Sequence, residues 1–203
     1  MARALLWDIG NVIVRWNPRT LYSKIFPDPA ECDRFLATVC TMDWHVAHDL
    51  GVTFEDNRRD LIARFPEHAA EIRAWGDRWW EMFSGPIAET EAAIEALHAA
   101  GVPQFGLSNI SHHTIEGTYA LSPAFSRLAG VVVSGEVGLV KPDPAIFELA
   151  CRRFGYAPGD WLFVDDSAAN IESARALGFD VHHFTDPADL RPAIEARGLL
   201  PAA

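Results

Sequence analysis

Ala4-Leu5-Leu6-Trp7-Asp8 and Trp161-Leu162-Phe163-Val164-Asp165-Asp166 are two short apolar runs that each end in carboxylates. Runs of this length read as strands buried on both faces of a parallel sheet. In open α/β sheets, ligands bind beyond the carboxyl ends of the strands. Acids repeated at two such ends therefore predict a shared site. Like charges gathered there call for a cation, and oxygen donors suit Mg²⁺.

Three further strand patterns, Gln104–Leu107, Gly130–Ser134 and Phe179–Phe184, alternate with helix patterns in the second half of the chain. That rhythm predicts an α/β fold with a doubly wound parallel sheet. The helix signals are explicit. Glu91–Ala100 stops at Gly101, Asp143-Pro144 opens a helix that Gly155 closes, and Ser167–Leu177 stops at Gly178. A last helix follows Asp186-Pro187 and runs to about Arg197. The first strand breaks the rhythm, because roughly ninety residues separate Asp8 from the next core strand, far beyond a normal crossover. Helical patterns at Ala30–Cys40, Thr53–Phe65 and Glu67–Phe83 fill that gap, with no strand expected among them. The expected organisation is an α/β core of residues 1–16 and 87–203 with a small helical subdomain, residues 17–86, inserted after the first strand.

Composition bounds the function. The 203 residues are 49% hydrophobic and 22% charged, enough for one substantial core and a small accessory domain. A net charge of −11 without a Lys/Arg cluster excludes a nucleic-acid-binding face. It leaves an anionic substrate open, since one metal and one lysine reverse the field locally. Cys32, Cys40 and Cys151 fit neither a disulfide framework nor a zinc pattern and read as reduced thiols. The chain reaches Asp8 too early for a signal-peptide core, and no stretch is long enough to span a bilayer. The expectation is a cytoplasmic protein, monomer or homodimer, with a small-molecule substrate and neither nucleic acid nor membrane as partner.

Four positions in order carry the chemistry: Asp8, Ser108-Asn109, Lys141 before a helix, and Asp165-Asp166. Each suits phosphoryl transfer. A carboxylate attacking phosphorus splits one hard displacement into two. Mg²⁺ between nucleophile and phosphate lowers their repulsion. The Ser hydroxyl, the Asn amide or a backbone N–H, and the Lys ammonium hold and neutralise the phosphate.

This order resembles the haloacid dehalogenase-like (HAD) hydrolase superfamily, with its Rossmann-like core. Asp8–Val12, Leu107–Asn109, Val140–Pro142 and Phe163–Asn170 carry the match, and the insertion looks like that family's cap. The resemblance implies Asp8 as nucleophile and metal ligand, the Gly10 carbonyl as a second ligand, Asp166 as a direct ligand of Mg²⁺, and Asp165 as a ligand either direct or through water. It implies phosphate binding by Ser108, Asn109 and Lys141, with Asn170 supporting the acidic loop. One departure stands out. Most phosphatases of the superfamily place a second Asp, the general acid and base, two residues after the nucleophile. Here that position is Gly10, as in members of the Asp-Leu-Gly-Asn-Val type, which include sugar-phosphate phosphatases. Asp43, His45, His112 and His113 are the candidate replacements.

The reading is a Mg²⁺-dependent phosphatase acting on a small phosphorylated metabolite, a sugar phosphate among the candidates, through an aspartyl-phosphate. One rival is a 2-haloacid dehalogenase, for which Asp165-Asp166 is superfluous and a cap arginine is expected; Arg15, Arg19 and Arg34 leave that open. The other is a non-catalytic phospholigand binder. Trp75, Trp79 and Trp80 read as cap packing, and His182-His183 as structural.

Overall fold

The computed structural model describes residues 2–201, so Met1, Ala202 and Ala203 of the expected core lie outside the described residues. The strands are β1 (Ala4–Trp7), β2 (Val14–Trp16), β3 (Phe83–Pro86), β4 (Gln104–Ser108), β5 (Val131–Val133), β6 (Trp161–Asp165) and β7 (Asp180–His183). Five of them form a parallel sheet in the order β5-β4-β1-β6-β7. The chain winds outward from β1 through β4 to β5, then crosses back to β6 and β7. The carboxyl ends of β1, β4 and β6 therefore meet where the winding reverses, the usual crevice of this architecture.

Alternation along the strands builds a core on each face. Leu5 and Trp7 of β1 join Leu162 and Val164 of β6 on one side, while Ala4, Leu6, Trp161 and Phe163 face the other. The helices of this part are α6 (Ala88–Ala99), α7 (Ile115–Tyr119), α8 (Ser134–Val137), α9 (Pro144–Phe154), α10 (Ala168–Ala176) and α11 (Leu190–Glu195). Helices α6, α7 and α11 cover the first face, and α9 and α10 the second. Asp143 caps α9 through a bond to the Ala145 N–H, and Gly155 closes it in the left-handed conformation, as the sequence predicts.

Helices α1 (Pro18–Tyr22), α2 (Pro29–Thr38), α3 (Met42–Asp49), α4 (Phe54–Arg64) and α5 (Ala69–Asp77) lie between β2 and β3. They pack around Tyr22, Phe35, Leu61, Trp75 and Met82, a cluster separate from both sheet faces. Cys32 and Cys40 are free and buried there. No helix among the described residues is long and apolar enough to cross a membrane.

The sequence reading missed the antiparallel pair β2–β3, which brackets the insertion. The expected helix Glu67–Phe83 breaks into a short 3-10 turn, α5, a second 3-10 turn at Trp79–Met82, and then β3. Gly85 at φ 98° and the neighbouring Pro86 cannot continue a helix, which explains the strand. Helices α1, α3, α7 and α8 were also not anticipated. Each is shorter than the periodicity needed to recognise it.

The insertion touches the sheet-bearing part at Gly51, just beyond α3. This residue has φ +97°, and a Cβ there would lie 2.6 Å from the carbonyl oxygen of Gly135. Gly51→Ala therefore combines backbone strain with a clash. It is expected to destabilise the protein by about 1–3 kcal/mol, read as a shift in the urea midpoint.

Candidate active site

Asp8 follows the last residue of β1, and its N–H donates to the Val164 carbonyl of β6 at 2.9 Å. The parallel register that aligns Trp7 with Val164 brings Asp8 and Asp165 to the same sheet end. The chain then turns sharply through Asn11, whose φ of 56° is left-handed, a conformation Asn tolerates better than most residues. The Asn11 N–H donates to the Val14 carbonyl and its side chain accepts from Trp16 N–H, so the turn leads directly into β2.

Lys141 ties the site together. Its Nζ lies 2.8 Å from Asp8 Oδ1 and donates to Asp165 Oδ2 at 2.7 Å. It is 4% exposed, Asp8 8% and Asp165 0%. Burial alone would lower the lysine, but Asp165 and Asp8 outweigh it and hold the ammonium above the usual lysine range. Burial pushes Asp8 up to about 7 against the pull of Lys141, with Asp165 and Asp166 adding to the rise. Asp166 is also raised, first by burial and then by Asp165.

The supporting bonds assign distinct tasks to neighbouring residues of the same motif. Asp165 Oδ1 accepts from Ser167 N–H at 2.8 Å, and Asn170 Nδ2 donates to both Asp165 oxygens at 3.0 and 3.1 Å. With Lys141, these partners occupy Asp165 fully, while Asp166 rather than Asp165 lines the open cavity. Ser167, not Asp166, caps α10. Asn109 accepts from Lys141 N–H and donates to the Lys141 carbonyl, both at 2.8 Å. Its side-chain amide, one of the two kinds of donor the sequence offered there for phosphate, is thus spent on fixing the Lys141 backbone. Ser108, at the end of β4, is buried and lines the cavity as expected.

Asp8, Asp165 and Asp166 each offer an oxygen, all within 4.8 Å of one another. Three carboxylates against one lysine leave net negative charge, and an all-oxygen donor set fits a hard cation such as Mg²⁺. The Gly10 carbonyl belongs to the same turn. A Cβ at Gly10 would meet nothing within 4 Å, so this position has room for a side chain that the sequence does not supply.

The site opens into a cavity of about 340 Å³, within the size range of small-ligand sites. The insertion and its flanking strands contribute Trp16, Met42, His45, Asp49, Trp79 and Phe83 to it. Of the four candidate replacements for the missing acid, only His45 reaches this cavity; Asp43, His112 and His113 are exposed. Asp49 also lines it, and sequence reasoning missed it; the signal was an Asp four residues after His45 on one helix face. Trp79 does more than pack, since it forms part of the wall. Among the described residues no arginine lines this cavity: Arg19 pairs with Asp33, Arg34 approaches Glu31, and Arg15 donates to the Pro86 carbonyl and lines an adjoining pocket.

Sheet, acidic strand ends and bridging lysine together define an α/β enzyme with its site at the switch point of a doubly wound sheet. The chain belongs to the haloacid dehalogenase-like hydrolases, whose family model matches residues 2–178. It is 36% identical over 99 residues to an (S)-2-haloacid dehalogenase of Pseudomonas sp. strain CBS-3, a match covering 47% of this chain and 42% of that enzyme. The aligned part thus spans less than half the length of that relative. It is 23% identical over 202 residues to a sesquiterpene phosphatase of Aspergillus oryzae, covering 98% of this chain and 96% of that one. A HAD family enzyme of Bacteroides thetaiotaomicron, solved with magnesium and inorganic phosphate, superposes with a TM-score of 0.67 at 17% identity, covering 94% and 99% of the two chains. A HAD family hydrolase of Deinococcus radiodurans with bound phosphate and sodium gives 0.70 at 19%, covering 100% and 99%. The structural likenesses show the shared fold.

Removing the lysine should reveal the charge it balances. Lys141→Met leaves the buried carboxylates of Asp8 and Asp165 without counter-charge, at a cost of about 3–5 kcal/mol near neutral pH. The folded pKa of Asp8 lies above its unfolded value, so protonation favours the folded state. The loss is therefore expected to grow as Asp8 ionises with pH rising through 7, measured by urea denaturation from pH 4 upward.

Proposed function

We propose that this hydrolase is a Mg²⁺-dependent phosphatase of a small phosphorylated metabolite, working through an aspartyl-phosphate on Asp8. The observation that carries this reading is the cluster of Asp8, Asp165 and Asp166 around Lys141. A carboxylate that attacks carbon has no need of a second and third carboxylate beside it. A carboxylate that attacks a phosphate dianion needs a cation between them.

Asp8, Asp166 and the Gly10 carbonyl would hold the Mg²⁺ directly, with Asp165 at its edge and engaged chiefly in fixing Lys141. When bound, the ion neutralises charge on nucleophile and phosphate together. Asp8 attacks phosphorus, and the Ser108 hydroxyl and Lys141 ammonium stabilise the negative charge of the transferring group. Asn109 acts through Lys141 by holding its backbone. Water then attacks the aspartyl-phosphate and releases inorganic phosphate. The helical insertion, residues 17–86, serves as a cap over this chemistry and excludes bulk water during the first step.

The cap side of the cavity is walled by Trp16, Met42, Trp79 and Phe83, and Ile110 adds to it from the core. Such a wall favours an ester with an apolar organic part over a sugar phosphate. A relative over nearly the whole chain bears the name of a sesquiterpene phosphatase, which agrees with that preference.

A second reading, 2-haloacid dehalogenase, is favoured by the 36% identity to such enzymes. Against it stand the acidic pair and, among the described residues, a cavity lining without arginine.

Hydrolysis of p-nitrophenyl phosphate separates these readings. The expected result is turnover that disappears with EDTA, returns with Mg²⁺, and falls by about three orders of magnitude or more in Asp8→Asn. Halide release from 2-chloropropionate that is indifferent to EDTA establishes the dehalogenase instead. Phosphate binding without turnover on either substrate class leaves the binder.

A further inference from the structure

Helix α3 is inside out. Met42, Val46 and Leu50, spaced four residues apart along it and at its end, are 51%, 38% and 41% exposed. His45, His48 and Asp49 are 5%, 1% and 8% exposed. A stable surface helix buries its apolar stripe and exposes its polar one. Burying a carboxylate without a strong counter-charge is costly, and the structure gives Asp49 no lysine or arginine partner within ion-pair distance. An arrangement that works against stability calls for a reason in function.

His48 has a structural one. Its ring is bonded on both sides, Nδ1 to the Val52 carbonyl at 3.2 Å and Nε2 to the Asn57 amide at 3.0 Å. His45 stacks on Trp16 and Trp79, and its Nδ1 has no partner. Burial pushes His45 down to about 3, which favours the neutral ring, a poor general acid because its remaining N–H is only very weakly acidic. Asp49 remains. It lines the cavity shared with Asp8, Ser108 and Lys141, and its Oδ1 lies 3.5 Å from His45 Nε2. Its backbone is pinned to the core, because Ser134 Oγ donates to the Asp49 carbonyl at 2.5 Å.

In-line displacement at phosphorus puts the leaving oxygen opposite the nucleophile. Asp8 attacks from the sheet end, so the leaving oxygen faces the insertion. His45 and Asp49 are the titratable residues that the insertion brings to that side of the cavity. We propose that Asp49, delivered by α3 across the cavity from Asp8, is the general acid and base that the glycine at position 10 cannot be. This inference rests on the phosphatase reading and names the residue that completes it.

The steps balance. In the first, a bond forms between an Asp8 oxygen and phosphorus, the bond from phosphorus to the ester oxygen breaks, and the Asp49 carboxyl proton passes to that oxygen. In the second, a water oxygen bonds to phosphorus, the bond to Asp8 breaks, and the water proton passes to the Asp49 carboxylate. Phosphate leaves and Asp49 is again protonated. Burial pushes Asp49 up to about 7, against the pull of Lys141, which suits a group that must both give and take a proton near neutrality.

The test uses leaving-group dependence. Wild-type protein and Asp49→Asn are compared on p-nitrophenyl phosphate, whose leaving group needs little protonation, and on a simple alkyl phosphate, whose leaving group needs much. The expected loss in kcat/KM is about 100-fold or more on the alkyl ester and less than about tenfold on the aryl ester. Gly10→Asp, for which the structure has room, is then added to Asp49→Asn and is expected to recover alkyl-ester turnover. Equal losses on both esters in a variant with unchanged thermal unfolding assign Asp49 a structural role and overturn the proposal. No loss on the alkyl ester overturns it as well. Wild-type protein that hydrolyses neither ester, or does so without Asp8, overturns the phosphatase reading itself, a result distinct from both.

Discussion

The lysine between two buried carboxylates is the constraint on which the rest of this structure turns. A buried ion cluster pays for its desolvation only when geometry is good and every remaining hydrogen-bonding position is filled. Lys141 meets Asp8 and Asp165 at 2.8 and 2.7 Å. Asn170 and the Ser167 N–H complete Asp165, and Asn109 clamps the Lys141 backbone from both sides. These partners come from the ends of three adjacent strands and the starts of the segments that follow them. Only a parallel sheet presents so many chain turns at one edge.

Stability and chemistry are divided between the two parts of the chain. The sheet faces are closed by Leu, Val, Ile, Phe and Trp side chains in alternation, an ordinary arrangement that holds the floor of the site rigid. The insertion spends some of its packing on polar groups. His45 Nδ1 and the ring nitrogens of Trp16, Trp75 and Trp79 are buried without hydrogen-bond partners among the described residues, and α3 turns apolar side chains outward. Such a roof is less stable than an apolar one of the same size, and richer in groups that a bound molecule can meet. The proposed proton transfer draws on that roof, and the proposed phosphoryl chemistry on the floor.

Much of the floor was legible in the residues. Asp8, Ser108, Lys141 and Asp166 stand where strand ends and helix starts were expected, because short buried runs and Gly or Pro punctuation are local signals. The division of labour within motifs was not legible. Nothing in the dipeptide Asp165-Asp166 tells which carboxylate faces inward to the lysine, since one residue of register turns a side chain to the opposite side. Likewise Asn109 follows Ser108 in a loop suited to phosphate, yet its amide is consumed by Lys141, 32 positions away. The ribbon β2–β3 escaped for the same reason, as its two strands are far apart in the chain and each is too short to show a period.

By itself the sequence determined the alternating α/β architecture, the order of the chemical groups along it, and the absence of a side chain at Gly10. These follow from local patterning, which needs no knowledge of distant neighbours. Only the tertiary structure decided that Asp165 serves the lysine while Asp166 faces the cavity, that Asp43 and the His112-His113 pair turn to solvent, and that Asp49 lines the same cavity as Asp8. The burial of Asp49 is set by how α3 packs between the insertion and the Ser134 turn of the core. The chemistry of a carboxyl group follows from what surrounds it, and those surroundings exist only once the chain has closed on itself.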